Sequence, residues 1–114
     1  MGSNDTLLPH QALAPNQSLR SPNGRAILVY QQDGNLVLYF DSQPLWDSRT
    51  AGVSPGQAIM QGDGNFVQYG ASGAVWSTIT AGRPGAELHV QTDGNLVLYT
   101  PAGVPIWASG TQER

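Results

Sequence analysis

The pattern Gln-x-Asp-Gly-Asn-x-Val-x-Tyr occurs three times in this chain, at an interval of thirty residues. The first copy is Gln31, Asp33, Gly34, Asn35, Val37 and Tyr39. The second is Gln61, Asp63, Gly64, Asn65, Val67 and Tyr69. The third is Gln91, Asp93, Gly94, Asn95, Val97 and Tyr99. Self-similarity at a fixed period marks a repeat architecture. The unit runs beyond the motif. Trp46, Trp76 and Trp107 follow their Tyr by seven, seven and eight positions, in the apolar runs Pro44-Leu45-Trp46, Ala74-Val75-Trp76 and Pro105-Ile106-Trp107. Turn material precedes each run (Asp41-Ser42-Gln43, Ala71-Ser72-Gly73, Pro101-Ala102-Gly103), and small or polar loop stretches follow it. Two of these read Thr50-Ala51-Gly52 and Thr80-Ala81-Gly82 and run on to Pro55-Gly56 and Pro84-Gly85. Each unit therefore reads strand, tight turn, strand, turn, strand, loop, which predicts a radial or prism-like all-β repeat.

The remaining sequence, residues 1–26, holds Thr6-Leu7-Leu8, Gln11-Ala12-Leu13 and Gln17-Ser18-Leu19-Arg20, separated by Pro9, Pro15 and Pro22. Three short strands here and nine in the repeats divide into three four-stranded sheets. The 114 residues fit one domain, 1–114, with internal repeats at roughly 20–49, 50–79 and 80–110.

Asp-Gly between two apolar runs signals a hairpin, and the loop length decides which side chains share a face. A two-residue loop, Asp33-Gly34, pairs Gln32 with Asn35. A three-residue loop pairs Gln31 with Asn35 and Val29 with Val37, with Gly34 at the left-handed position. The longer loop puts Gln31, Asn35, Val37 and Tyr39 on one face, with Asp33 at the tip. The opposite face then carries Leu28, Tyr30, Leu36 and Leu38 in the first unit. It carries Ala58, Met60, Phe66 and Gln68 in the second, and Leu88, Val90, Leu96 and Leu98 in the third. This is the predicted core, joined by the three Trp. Gln68 needs a hydrogen-bond partner or water there, because an unpaired buried amide costs about 1–3 kcal/mol.

Asp-Gly-Asn alone is ordinary turn chemistry, and Tyr and Val are ordinary strand residues. A turn does not require Gln two residues before the Asp or Tyr six after it. The polar set is held in all three copies while Leu36/Phe66/Leu96 and Leu38/Gln68/Leu98 vary, which points to a site built three times. Its carboxylate, amides and phenol suit the vicinal hydroxyls of a sugar, and Val suits the C–H face of the ring. A wrong epimer would leave a site group unpaired.

Other chemistries fit poorly. Net charge is −3, and the five basic residues, all Arg, are scattered, which argues against nucleic acid and against an anionic membrane surface. No stretch approaches the ~20 apolar residues of a membrane span. Glycoside hydrolysis uses two carboxylates about 5–10 Å apart, whereas each unit has one motif Asp. Asp5, Asp41, Asp47, Glu87 and Glu113 follow no repeat, and no Ser/His/Asp arrangement recurs. The expectation is no enzyme, no cofactor and no metal, since one carboxylate with amides is a thin calcium shell. His89 takes the place of Val29 and Ile59 beside the motif face. It is either an edge histidine or a contact specific to the third site. The chain has no Cys, and Met1-Gly2-Ser3-Asn4 lacks a basic-then-apolar signal pattern. Secreted and cytoplasmic locations both stay open.

The triplicate Gln-x-Asp-x-Asn-x-Val-x-Tyr resembles the mannose-binding site of the monocot, bulb-type (snowdrop-agglutinin-related) lectins, over about Asp5 to Thr111. The resemblance implies a β-prism II fold, with three four-stranded antiparallel sheets about a pseudo-threefold axis and the Trp inside. It implies calcium-independent binding of α-D-mannose and of mannose-rich glycans or glycoproteins. By the same resemblance, Asp33, Asn35, Asp63, Asn65, Asp93 and Asn95 bond the axial 2-hydroxyl. Gln31, Gln61 and Gln91 bond the 3-hydroxyl side, Tyr39, Tyr69 and Tyr99 the 4-hydroxyl, and Val37, Val67 and Val97 pack on ring carbons. Plant members usually carry a disulfide with one Cys at the position of Gly34, which is lacking here. Family members often form homodimers by exchanging the C-terminal strand, here Val104 to Ser109. Fold-back and exchange both fit the sequence. The rival readings are a protein–protein interaction module and the glycan-recognition unit of a bacteriocin-like or defence protein.

Overall fold

A computed structural model describes residues 4–112. The readings that fall on Met1, Gly2, Ser3, Glu113 and Arg114 lie outside the described residues. The described chain forms twelve strands. Three short ones come first: β1 (Thr6–Leu7), β2 (Ala12–Leu13) and β3 (Ser18–Arg20). The first repeat gives β4 (Ala26–Tyr30), β5 (Leu36–Phe40) and β6 (Gln43–Asp47). The second gives β7 (Pro55–Met60), β8 (Phe66–Gly70) and β9 (Gly73–Ser77). The third gives β10 (Glu87–Val90), β11 (Leu96–Tyr99) and β12 (Pro105–Ala108). They pair as three antiparallel four-stranded sheets, β3-β4-β5-β6, β2-β7-β8-β9 and β1-β10-β11-β12. This is the β-prism II arrangement.

The N-terminal segment closes the prism. β1, β2 and β3 each complete a different sheet, with Thr6 opposite His89, Ala12 opposite Ile59 and Ser18 opposite Val29. Leu7, Leu13 and Leu19, six residues apart, are all buried. Between them the chain turns at His10 and Asn16, both with φ of 73°. Gln11 and Gln17 steady these corners, their Oε1 atoms accepting from the backbone N–H groups of Leu8 and Ala14. One leucine per side is thus delivered to the common core by a local device used twice.

The hairpins take the longer-loop register. Val29 stands opposite Val37, Tyr30 opposite Leu36, and the Gln31 N–H donates to the Asn35 carbonyl at 2.8 Å. Gly34 has φ of 91°, and a Cβ there would lie 1.9 Å from the Val53 carbonyl oxygen. The glycine therefore serves both the turn and the packing of one repeat's hairpin on the next repeat's loop. Gly64 does the same against Arg83.

The core is the face opposite the motif. Leu28, Tyr30, Leu36, Leu38, Ala58, Met60, Phe66, Gln68, Leu88, Val90, Leu96 and Leu98 are at most 1% exposed. Gln68 lies opposite Ala58 and is fully paired. Its Nε2 donates to the Gly34 carbonyl at 2.6 Å and to Thr50 Oγ1 at 2.8 Å, and its Oε1 accepts from Ser48 Oγ at 2.9 Å. The three Trp meet edge-to-face with centroids 5.2–5.8 Å apart. They pack on the core but remain only partly buried, because they sit on β6, β9 and β12, the edge strands of their sheets.

One stretch differs from its sequence reading. Pro55-Gly56 reads as loop but begins β7, with Pro55 opposite Gly70. Gly56 is the extra residue of a bulge, where a Cβ would lie 2.6 Å from the Tyr69 carbonyl oxygen. The buried Tyr30 hydroxyl accepts from the Gly56 N–H at 2.9 Å and donates to that same carbonyl. A bulged strand end is held by a neighbouring sheet.

Candidate functional site

Each sheet carries its motif on the face away from the core. In each, the second and third strands of the repeat (β5 and β6, β8 and β9, β11 and β12) are out of register at one point: between Leu38 and Tyr39, Gln68 and Tyr69, and Leu98 and Tyr99. Leu45, Val75 and Ile106 are the extra residues opposite these shifts. Bulges of this kind re-aim a neighbouring side chain. Here the shift lets the Trp pack inward while the Tyr stays on the motif face.

The Tyr is then tied to the motif Gln. The Nε2 of Gln31 donates to the Tyr39 hydroxyl at 2.6 Å, and the Gln61–Tyr69 and Gln91–Tyr99 bonds are 2.5 Å. Among the described residues neither the phenolic proton nor the Gln Oε1 has a further partner, so both can face a ligand. The Asp at the tip uses one oxygen on the turn: Asp33, Asp63 and Asp93 accept from the N–H of Asn35, Asn65 and Asn95 at 2.9–3.0 Å through Oδ1. The second oxygen makes no hydrogen bond among the described residues.

The Asn is anchored by its carbonyl end. The Oδ1 of Asn35 accepts from Thr50 N–H at 3.2 Å and from Ser48 Oγ. Asn65 receives the same bonds from Thr80 and Thr78, and Asn95 from Thr111 and Ser109. The hydroxyls of Thr50, Thr80 and Thr111 reach on to the carbonyls of Gly34, Gly64 and Gly94, each at 2.6 Å. This Ser/Thr-x-Thr clamp fixes the amide so that Nδ2 points into the site. Sequence reasoning missed it, although hydroxyl residues two and four positions after every Trp were a readable signal. Val37, Val67 and Val97 are 3–5% exposed. They form an apolar floor that offers a ligand only a sliver of surface.

The three sites differ at their rims. Opposite the motif Val, the third strand supplies Asp47 in the first sheet, Ser77 in the second and Ala108 in the third. Asp47 Oδ2 accepts from Asn35 Nδ2 at 2.9 Å, and Asp47 lines a hollow of about 400 Å³ with Gln31, Asn35, Val37 and Tyr39. Its place in no repeat hid it from the sequence reading. In the third site His89 stands opposite Val97, with its ring 5.3 Å from that of Tyr99. Its ring nitrogens lie 3.2 Å from Thr6 Oγ1 and 3.3 Å from Glu87 Oε1. His89 therefore lies against a motif residue of the third site. Among the described residues no three His, Cys, Asp or Glu side chains gather into a metal-holding group.

Three hairpins on a three-sided prism, each presenting an amide, a carboxylate, a phenol and a second amide over an apolar floor, define a carbohydrate-reading protein. No protein-family model matches the chain, and a search of curated proteins finds no match. Solved structures do match. A monomeric monocot mannose-binding lectin from Gastrodia elata is 38% identical, with 95% of this chain and 98% of that one covered and a TM-score of 0.87. The mannose-specific agglutinin from snowdrop (Galanthus nivalis), complexed with methyl-α-D-mannoside, is 34% identical over 95% and 97%, with a TM-score of 0.77. A domain-swapped lectin dimer from Mycobacterium smegmatis is 45% identical over 92% and 98%, with a TM-score of 0.58. The chain belongs to the bulb-type mannose-binding lectin family.

Proposed function

We propose that this protein is a non-catalytic lectin with three calcium-independent sites for α-D-mannose and mannose-rich glycans. The single observation that carries the reading is the threefold recurrence of one side-chain geometry: Gln bonded to Tyr, and Asn clamped by its carbonyl with its amide outward. Asp33, Asp63 and Asp93 with Asn35, Asn65 and Asn95 take the axial 2-hydroxyl. Gln31, Gln61 and Gln91 take the 3-hydroxyl side. Tyr39, Tyr69 and Tyr99 take the 4-hydroxyl, and Val37, Val67 and Val97 form the floor beneath the ring. In this reading residues 1–114 act as one domain with a site in each of the repeats 20–49, 50–79 and 80–110. Shallow single sites bind weakly, so avidity comes from several sites meeting one glycan surface.

The same reading extends to assembly. β12 pairs with β11 of its own chain through Val97–Ala108, Leu98–Trp107 and Tyr99–Pro105. Exchange of this strand between two copies would keep every one of those pairs, so a homodimer costs no sheet contact. Light scattering at increasing protein concentration tests it, and a monomer throughout would refute it.

A glycan array run with and without chelator tests the ligand class. Retention on mannose-terminated glycans, competed by free mannose and unaffected by chelator, is the expected result. Failure of the folded protein to bind any of them would leave the prism as a protein–protein module.

A further inference from the structure

We infer that Asp47 is a specificity-determining residue of the first site, which makes that site favour hexoses carrying an ammonium group at C2 more than the second site does. The inference rests on the mannose-site reading above. Of the three motif Asn residues, only Asn35 has its outward Nδ2 engaged by a protein group, the Asp47 carboxylate at 2.9 Å. Asn65 and Asn95 have no such partner among the described residues, and the matching positions hold Ser77 and Ala108. The Asn35 side chain and its own N–H are thus flanked by two carboxylates, Asp47 on the third strand and Asp33 at the hairpin tip.

Neither carboxylate has a cation within ion-pair distance among the described residues. Arg49 shares the adjoining crevice with Asp47 but makes no ion pair with it. In the proposed pose the C2 substituent meets the Asn35 amide, so it also lies next to Asp47. A hydroxyl there can donate to a carboxylate oxygen. An ammonium cannot accept from the Asn amide, a loss common to all three sites. Beside Asp47 it gains a Coulomb attraction that the second site lacks, worth about five- to tenfold at contact in a nearly water-like dielectric. The second site offers one carboxylate at the same corner. The third has Glu87 and His89 on the Tyr99 side instead.

Side-chain amide NMR separates the sites, because Asn35, Asn65 and Asn95 each report one of them. Mannose and 2-amino-2-deoxy-mannose are titrated in turn at low salt. The ratio of the two affinities is expected to favour the amino sugar about five- to tenfold more at Asn35 than at Asn65, with the excess shrinking as salt rises. Asp47→Asn keeps an acceptor for Asn35 Nδ2 and removes the charge. It should bring the first site's ratio to that of the second. Equal ratios at Asn35 and Asn65, or an excess that survives Asp47→Asn, would overturn the inference while leaving mannose binding intact. No response of any of the three amides to mannose would sink the ligand reading, and this inference with it.

Discussion

The amide of Gln31 holds the hydroxyl of Tyr39 at 2.6 Å across the hairpin, eight residues apart in sequence, and the bond repeats in both other sheets. It fixes which way the phenolic proton can point. Removing the hydroxyl at one copy leaves a Gln amide that water can reach, so stability should change little. Tyr39→Phe, Tyr69→Phe and Tyr99→Phe are each expected to weaken mannose at one site by about tenfold, the worth of one to two hydrogen bonds. Site-resolved NMR titration checks this. Equal weakening at all three sites by one substitution would point to a shared structural effect.

Gly34 and Gly24 both have positive φ, but only Gly34 has backbone where a Cβ would go. Gly24→Ala should cost about 1 kcal/mol, from its left-handed backbone alone. Gly34→Ala must also displace the Val53 carbonyl, and should cost about 3 kcal/mol or more. Urea unfolding of the two variants gives the comparison.

Gln68 has an internal control, because Leu38 and Leu98 occupy the matching positions in the other sheets. Every partner it would abandon keeps another hydrogen bond: Gly34 O with Thr50 Oγ1, and Ser48 Oγ with Thr50 and Leu36. Gln68→Leu should therefore cost no more than about 1 kcal/mol. Gln68→Ala leaves a cavity between two sheets and should cost about 2–4 kcal/mol. Thermal unfolding distinguishes them.

The Arg25–Asp41 pair sets a small pH effect on the β5–β6 turn. The Arg25 hydrogen bond holds the Asp41 carboxyl below its ordinary value of 3.8. Asp41 therefore contributes stability above that value and loses it as pH falls through its lowered folded value. The pair is about half exposed, so the effect is minor and screened by salt. The stability difference between the parent and Asp41→Asn should shrink in acid and in about 1 M salt. A difference that persists in both would mean Asp41 acts through the turn backbone, where its φ is 49°.

The period and the alternation made most of the fold legible. Leu36/Leu38 and their counterparts are core because they lie opposite the motif face, and the Asp-Gly loops allow only one register that does this. The three short N-terminal strands were readable from the prolines between them, but not the sheet each joins, which depends on contacts 7 to 83 residues away. Pro55-Gly56 was misread because a bulge is set by the approach of Tyr69 and Tyr30, not by local propensity. At the site, Gln, Asp, Asn and Tyr were visible as invariants of the repeat. The Ser/Thr-x-Thr clamp left its hydroxyls at fixed places after each Trp, but its hold on the Asn 13 to 16 residues earlier is a contact through space that spacing alone does not show. Asp47 was hidden because it breaks the repeat, which is what sets the first site apart.

The central claim is that three equivalent hairpins are three mannose sites. Calorimetric titration of the folded chain with methyl-α-D-mannoside, in the presence of chelator, counts them directly. The account predicts saturable binding with a stoichiometry near three per chain, reduced by about one site each by Asp33→Ala, Asp63→Ala and Asp93→Ala. A folded protein that takes up no mannoside, or one whose binding is indifferent to all three substitutions, would contradict it.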